Sequence, residues 1–391
     1  MNGFSYWSPT KIIFGEGTAG QAGREVKAFG GANALVFYGG GSAVRSGVLD
    51  TVVNSLETEG VVAHCVGGVQ PNPRVAFVQK NVDEYRDKGV DFVVAVGGGS
   101  VIDSSKAAAH GLASPDTPVW DFFSRKATLE RSLPVGVVLT IAAAGSETSE
   151  SAVLTNQESG IKRGLSSSFN RPRFAVMDPA LTCGLPRRET ACGVSDILMH
   201  TLDRYFAPDT DNAMTDGMAE ALMRVVIKYG GIVTENPSDY KARSELMWAG
   251  SLSHNGLMGL GQTQDFAVHQ LGHALSGQYD IPHGESLTAV WPSWARFLYR
   301  YDIPRFAKYA RAVWGVDTAD VEAAAVAGID ATERFFRSIG MPVTLTEAAG
   351  AGAGGDIEAI TTLCTYHGTR SIGAFRVLGA EEIRAIYELA V

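Results

Sequence analysis

The sequence predicts two unlike halves: an α/β N-terminal nucleotide-binding domain and an all-α C-terminal domain that holds a metal. Three observations predict this. Short apolar runs ending in glycine turns alternate with helical patterns up to about residue 184. Beyond that point strand-like runs nearly vanish and long amphipathic helical patterns take over. In this second half four of the chain's eight histidines gather with an aspartate. The expected domains are therefore residues 1–184 and 185–391.

The elements follow in order. Residues 11–14 (KIIF) read as a short strand, and 34–38 (ALVFY) as a second that runs into Gly39-Gly40-Gly41-Ser42. Val75, Val78, Val82 and Tyr85 recur at helical spacing. The run 92–96 (FVVAV) has the continuous apolar character of a strand buried on both faces of a parallel sheet, and it ends in Gly97-Gly98-Gly99-Ser100. A helix over 104–110 should follow, then strands at 135–140 and 174–177. The helical half is expected to include 214–229, 240–257, 303–314 and 321–339. The glycine-rich segment 349–356 has no strand before it, so it reads as a mobile surface loop and not a phosphate loop. The sequence holds no internal repeat.

Composition narrows the function. At 391 residues, 45% hydrophobic and 19% charged, the chain has the make-up of an ordinary globular enzyme of two or three domains. A net charge of −9 argues against nucleic acid or an anionic membrane as partner. The opening MNGFSYWSPTK has neither a basic nor an apolar leader region, and the longest apolar stretch, 135–145, is too short to span a bilayer. Cys65, Cys183, Cys192 and Cys364 form no CxxC, which suits reduced, packed thiols in the cytoplasm.

The turn Gly97-Gly98-Gly99-Ser100 stands between a strand and a helix, where backbone N–H groups accept a phosphate. It is not GxGxxG, and Ser100 with Asp103 also matches a helix-capping pair. At Gly39–Ser42 no acid stands ready to accept from a ribose 2′-hydroxyl, while Arg45 lies close behind. That end favours NADP(H), with NAD(H) as the alternative carrier.

Asp196 and His200 are four apart, as are His269 and His273, so each pair shares one helix face; His283 follows in IPHGE. One carboxylate with imidazoles suits one divalent ion, Fe(II) or Zn(II). Gln270 stands where a zinc peptidase carries its glutamate, which removes the general base of a metallohydrolase. His273 is either a fifth ligand or a proton carrier, and an imidazole pKa near 6.5 suits the second role.

Motifs in fixed order then match a known family: SPTKIIFGEG, YGGGS, QPNP (70–73), VAVGGGSVID (94–103), VLTxxxxGSE (138–147), MDPALTxxLP (177–186), GVSDxxxH (193–200) and QDFAVHQLGHALSxxYDIPHGESL. The chain resembles the iron-containing (group III) alcohol dehydrogenases nearly end to end. Within them it is most similar to the NADP-dependent butanol dehydrogenase-like aldehyde reductases. The resemblance implies a dehydroquinate synthase-like architecture with a cleft between its domains, a homodimer, and hydride exchange between NADP(H) and a small primary alcohol or aldehyde. It implies that Asp196, His200, His269 and His283 hold Fe or Zn, and that His273 lies beside the nicotinamide. It further implies cofactor contacts from Gly39, Gly40, Gly41, Ser42, Asn72, Gly98, Gly99, Ser100, Asp103, Thr140, Lys162 and Leu181, with Arg45 as the remaining cation of a turn that is lysine-rich in the family's NADP-dependent members. Ala144 stands where the family carries a threonine. Phe266, Trp291 and Leu181 are expected in the substrate wall. A glycerol-type polyol dehydrogenase, a dehydroquinate synthase-like cyclase using NAD, a metallohydrolase and a non-catalytic sensor are the competing readings.

Overall fold

The computed structural model describes residues 1–208 and 212–391. The chain divides into two compact units, one of residues 7–185 and one of 186–391 joined by 1–6. The N-terminal arm belongs with the second because Asn2 N–H donates to the Gly261 carbonyl at 2.9 Å.

The first unit is built on a parallel sheet of six strands: β1 (Lys11–Phe14), β2 (Asn33–Tyr38), β3 (Val62–Val66), β4 (Phe92–Gly97), β5 (Val135–Leu139) and β8 (Phe174–Met177). Their order is β1-β8-β5-β4-β2-β3. Between β5 and β8 the chain makes an antiparallel hairpin of β6 (Ser151–Asn156) and β7 (Ile161–Ser166). Every residue of β4 is buried, which explains its unbroken apolar run. One face of the sheet closes a core with Val26, Val52, Leu56 and Phe174.

Sheet order singles out one end of the sheet. The chain steps outward from β2 to β3 and then returns to lay β4 on the other side of β2. The connections therefore change direction between β2 and β4, where Tyr38 pairs with Val96. Open α/β sheets gather ligands at such a reversal, outside the carboxyl ends of the strands. Both glycine turns lie there.

The second unit is helical, and among its described residues the only β pairing is one bridge, Ile372 with Leu378. Three helices matter most: Arg187–Tyr205, Ala267–Tyr279 and His283–Leu298, each packed on the other two. Gly284 permits the closest approach. A Cβ there would fall 2.5 Å from the Cys192 carbonyl oxygen. No helix among the described residues is long and apolar enough to cross a membrane.

Several expectations need correction. The helix after β4 begins at Gly99, five residues earlier than expected, so Gly98 is its N-cap and Gly99 and Ser100 open its first turn. The expected helix over 240–257 stops at His254, because Asn255 and the left-handed Gly256 (φ 99°) end it. Segment 349–356 is not a bare loop: Ala349 closes a helix, and Ala353–Asp356 forms a 3-10 turn with Ala353 buried. Trp291 is fully buried against Phe336, so it serves the helical core and not a substrate wall.

Candidate metal centre and nucleotide turns

Asp196 and His200 stand one turn apart on the helix Arg187–Tyr205 and are buried. His269 and His273 hold the same relation on Ala267–Tyr279, and His283 is the first residue of the next helix. Oδ1 of Asp196 is the focus. The Nε2 atoms of His200, His269 and His283 lie 3.4, 3.7 and 3.9 Å from it. Asp196, His200 and His269 form the tight group, with ligand atoms all within 4.8 Å of one another. His283 stands farther out and is 23% exposed.

These separations fit a cation. Tetrahedral bonds of about 2.1 Å place donor atoms about 3.4 Å apart. Oδ1 of Asp196 and Nε2 of His269 are buried and have no hydrogen-bond partner among the described residues. Burying such atoms unsatisfied costs about 1–3 kcal/mol each, more for a charged group, and a shared ion removes that cost. Electrostatics agree. Burial, then His254, His269, Arg204 and His283, push His200 well below the usual imidazole value, so it is a neutral donor. Burial also lowers His269, but the carboxylates of Asp196 and Asp203 outweigh it and raise this imidazole. The field around Nε2 of His269 thus favours positive charge.

Two supporting residues escaped sequence reasoning. Asp203 Oδ2 lies 2.5 Å from His269 Nδ1, which leaves Nε2 turned toward Asp196. Asp203 follows Asp196 by seven residues and His200 by three, so the helix face that carries those two also carries it. His254 Nδ1 lies 2.8 Å from His200 Nδ1. No local spacing reveals that pair.

Phe266 sits where the helix begins, in the left-handed region (φ 55°) that costs a bulky residue strain. Asp265 imposes this turn by accepting from the backbone N–H groups of Ala267, Ala374 and Phe375. The Phe266 ring then lies 5.3 Å from His269 and 6.2 Å from His200, with the Arg204 guanidinium 4.6 Å over its face. His273 is buried, its ring 6.4 Å from His269 and 5.2 Å from His283.

In the sheet unit the expected cofactor residues follow the carboxyl ends of neighbouring strands. Gly39, Gly40, Gly41 and Ser42 follow β2; Gly98, Gly99 and Ser100 follow β4; Thr140 follows β5 and Leu181 lies just past β8. Thr140 N–H donates to the Gly97 carbonyl at 3.1 Å, and a Cβ on Gly99 would touch Ala144 at 3.2 Å. The 140–144 segment therefore lies against the β4 turn. Asn72, itself at φ 54°, accepts from Lys162 Nζ at 3.0 Å, and both are buried. Lys162 is therefore no exposed loop lysine. Arg45 is exposed and folds back over its own turn; a Cβ on Gly41 would fall 2.3 Å from its Nη1. Leu181 is partly buried against the sheet core.

The capping alternative for Ser100 and Asp103 fails, since no side chain caps this helix. Asp103 instead accepts from Ser146 Oγ at 2.6 Å and Val153 N at 3.0 Å. Lys106 Nζ, fully buried, donates to Ser146 Oγ at 2.8 Å and to the Ser146 and Ser151 carbonyls at 2.7 Å. Burial, set against the Asp103 and Glu147 carboxylates, lowers this ammonium to about 8.

Two family descriptions match the chain. "Iron-containing alcohol dehydrogenase" covers residues 9–179, and "Fe-containing alcohol dehydrogenase family, C-terminal" covers 190–391. NADH-dependent butanol dehydrogenase A of Clostridium acetobutylicum is 37% identical over 391 residues, 99% of each chain. NADPH-dependent aldehyde reductase YqhD of Escherichia coli is 34% identical over 394 residues, with full coverage of both. The crystal structure of NADH-dependent butanol dehydrogenase A from Thermotoga maritima superposes with a TM-score of 0.96 at 36% identity, covering 100% of this chain and 99% of that one.

Proposed function

The chain belongs to the iron-containing alcohol dehydrogenase family, and from that membership we propose that it interconverts a small primary alcohol and its aldehyde with NADP(H) and one divalent ion, Fe(II) or Zn(II). The oxidoreductase class, a nicotinamide cofactor and an iron-type metal come with the family. The carrying observation is the convergence of three imidazole Nε2 atoms on Oδ1 of Asp196.

Asp196, His200, His269 and His283 hold the ion in this reading. When bound, the ion supplies Lewis acidity at the substrate oxygen and the nicotinamide supplies the hydride. The residues do the rest. The N-terminal amides of the helix Gly99–Ala113 would receive the cofactor's pyrophosphate. Arg45 would meet a ribose 2′-phosphate, unopposed by any acid in the turn 39–42. This supports NADP(H), although relatives of similar identity bear both NADH and NADPH in their names. His273 carries the proton between the substrate oxygen and solvent, and the Phe266 ring keeps water from the donor atoms. Assembly as a homodimer belongs to the same reading, and light scattering tests it.

The decisive experiment measures oxidation of NADPH and of NADH with a panel of short aldehydes, after chelation and after return of Fe(II) or Zn(II). Activity restored by metal and faster with NADPH is expected. Aldehyde reduction untouched by chelation rejects the metal assignment; equal rates with both carriers reject the cofactor preference. Turnover without net loss of reduced nicotinamide points to a cyclase.

A further inference from the structure

We propose that His254 is the positioning residue that holds His200 in the tautomer able to ligate a divalent ion. The proposal rests on the metal site described above and adds a residue that site does not contain. His254 ends its helix, half-buried, and its ring meets that of His200 edge-on with centroids 3.9 Å apart. The Nδ1 atoms are 2.8 Å apart. Two imidazoles in such contact share one proton, so one ring donates and the other accepts.

The choice has consequences at the far side of His200. Its Nε2 faces Asp196 Oδ1 at 3.4 Å, and that oxygen receives no hydrogen bond among the described residues. If His254 donated, a neutral His200 would carry its proton on Nε2, against the atom it is meant to join in coordination. If His200 donates from Nδ1, its Nε2 presents a lone pair. His269 follows the same plan, with Asp203 as the acceptor at Nδ1. Each buried imidazole thus gives its Nδ1–H to an acceptor and turns Nε2 inward, the arrangement that fixes ring orientation in metal sites.

The test compares the full chain with His254→Leu and His254→Asn, titrating each metal-free protein with Zn(II) against a chromophoric chelator. Asn keeps an acceptor near the position of Nδ1; Leu removes it. His254→Leu should bind Zn(II) roughly 10–100-fold more weakly, and His254→Asn should stay close to the parent. Equal affinity in the Leu variant and the parent overturns the proposal, as does an equal loss in both variants with unchanged thermal melting. Should His254→Leu fail to fold, nitrogen-15 histidine spectra of the metal-free parent decide: a proton on Nδ1 of His200 supports the assignment, and one on Nε2 overturns it. A parent that binds no Zn(II) or Fe(II) overturns this inference together with the metal site, whereas parity among the three proteins overturns this inference alone.

Discussion

Asp203 grips His269 twice: its Oδ2 lies 2.5 Å from Nδ1 of the ring and accepts the backbone N–H of the same residue at 3.1 Å. The carboxylate fixes both where the helix Ala267–Tyr279 starts and which nitrogen looks inward. Asp203→Ala should lower metal affinity by roughly 10–100-fold while leaving the four donor residues intact. Metal titration of the purified variant checks this, and unchanged affinity removes Asp203 from the site's support.

His273 and His269 share a helix face but should respond differently. His273→Ala is expected to keep its metal and lose roughly 10²–10⁴-fold in kcat, the range for a missing proton carrier. His269→Ala should lose metal and rate together. Metal analysis beside steady-state kinetics separates the two, and a metal-loaded, active His269→Ala rejects the ligand assignment.

Arg45 is the cation of the β2 turn, and its replacement should be read in one carrier only. Arg45→Ala should raise KM for NADPH roughly tenfold, the scale of one charge-assisted hydrogen bond, and leave KM for NADH nearly unchanged. An equal rise for both carriers assigns Arg45 to shaping the turn instead.

Gly284 has no room for a side chain, since a Cβ would sit 2.5 Å from the Cys192 carbonyl, one turn before Asp196. Gly284→Ala should cost about 1–3 kcal/mol through overpacking and weaken metal binding, because the helix bearing His283 must move away. Melting temperature and metal content report the two effects.

Asp216 forms a buried ion pair with Arg305 and also meets Lys308. Burial raises its carboxyl, but those cations outweigh burial and hold it below the usual value. The folded state therefore binds this proton less readily than the unfolded chain does. The resulting stability is present above the ordinary carboxylate pKa of 3.8 and is lost as pH falls below it. Asp216→Asn should cost about 3–5 kcal/mol at neutral pH, and the gap in melting temperature should close in acid. A pH-independent gap contradicts the assignment.

The sheet was legible wherever strands are buried on both faces, as in β4 and β5. β3 was missed because it is an edge strand whose sequence, VAHCV, mixes polar and apolar residues. The hairpin β6–β7 was missed for a like reason: SAVLTN and IKRGLS are only half-buried and keep no clean alternation. The proposed donors Asp196, His200 and His269 stand out by helical spacing, whereas the place of His283 among them comes from the family resemblance. Asp203 shares the helix face of Asp196 and His200, but nothing in the sequence joins His254 to His200, which only tertiary packing brings together. The burial of Lys162 had the same source, since its partner Asn72 is distant in sequence.

The glycine turns and Arg45 all precede residue 186, while every donor proposed for the ion follows it. Selection can therefore act on the two ingredients separately. Substitutions in the turn 39–45 would alter the proposed carrier site and leave every proposed donor of the ion in place.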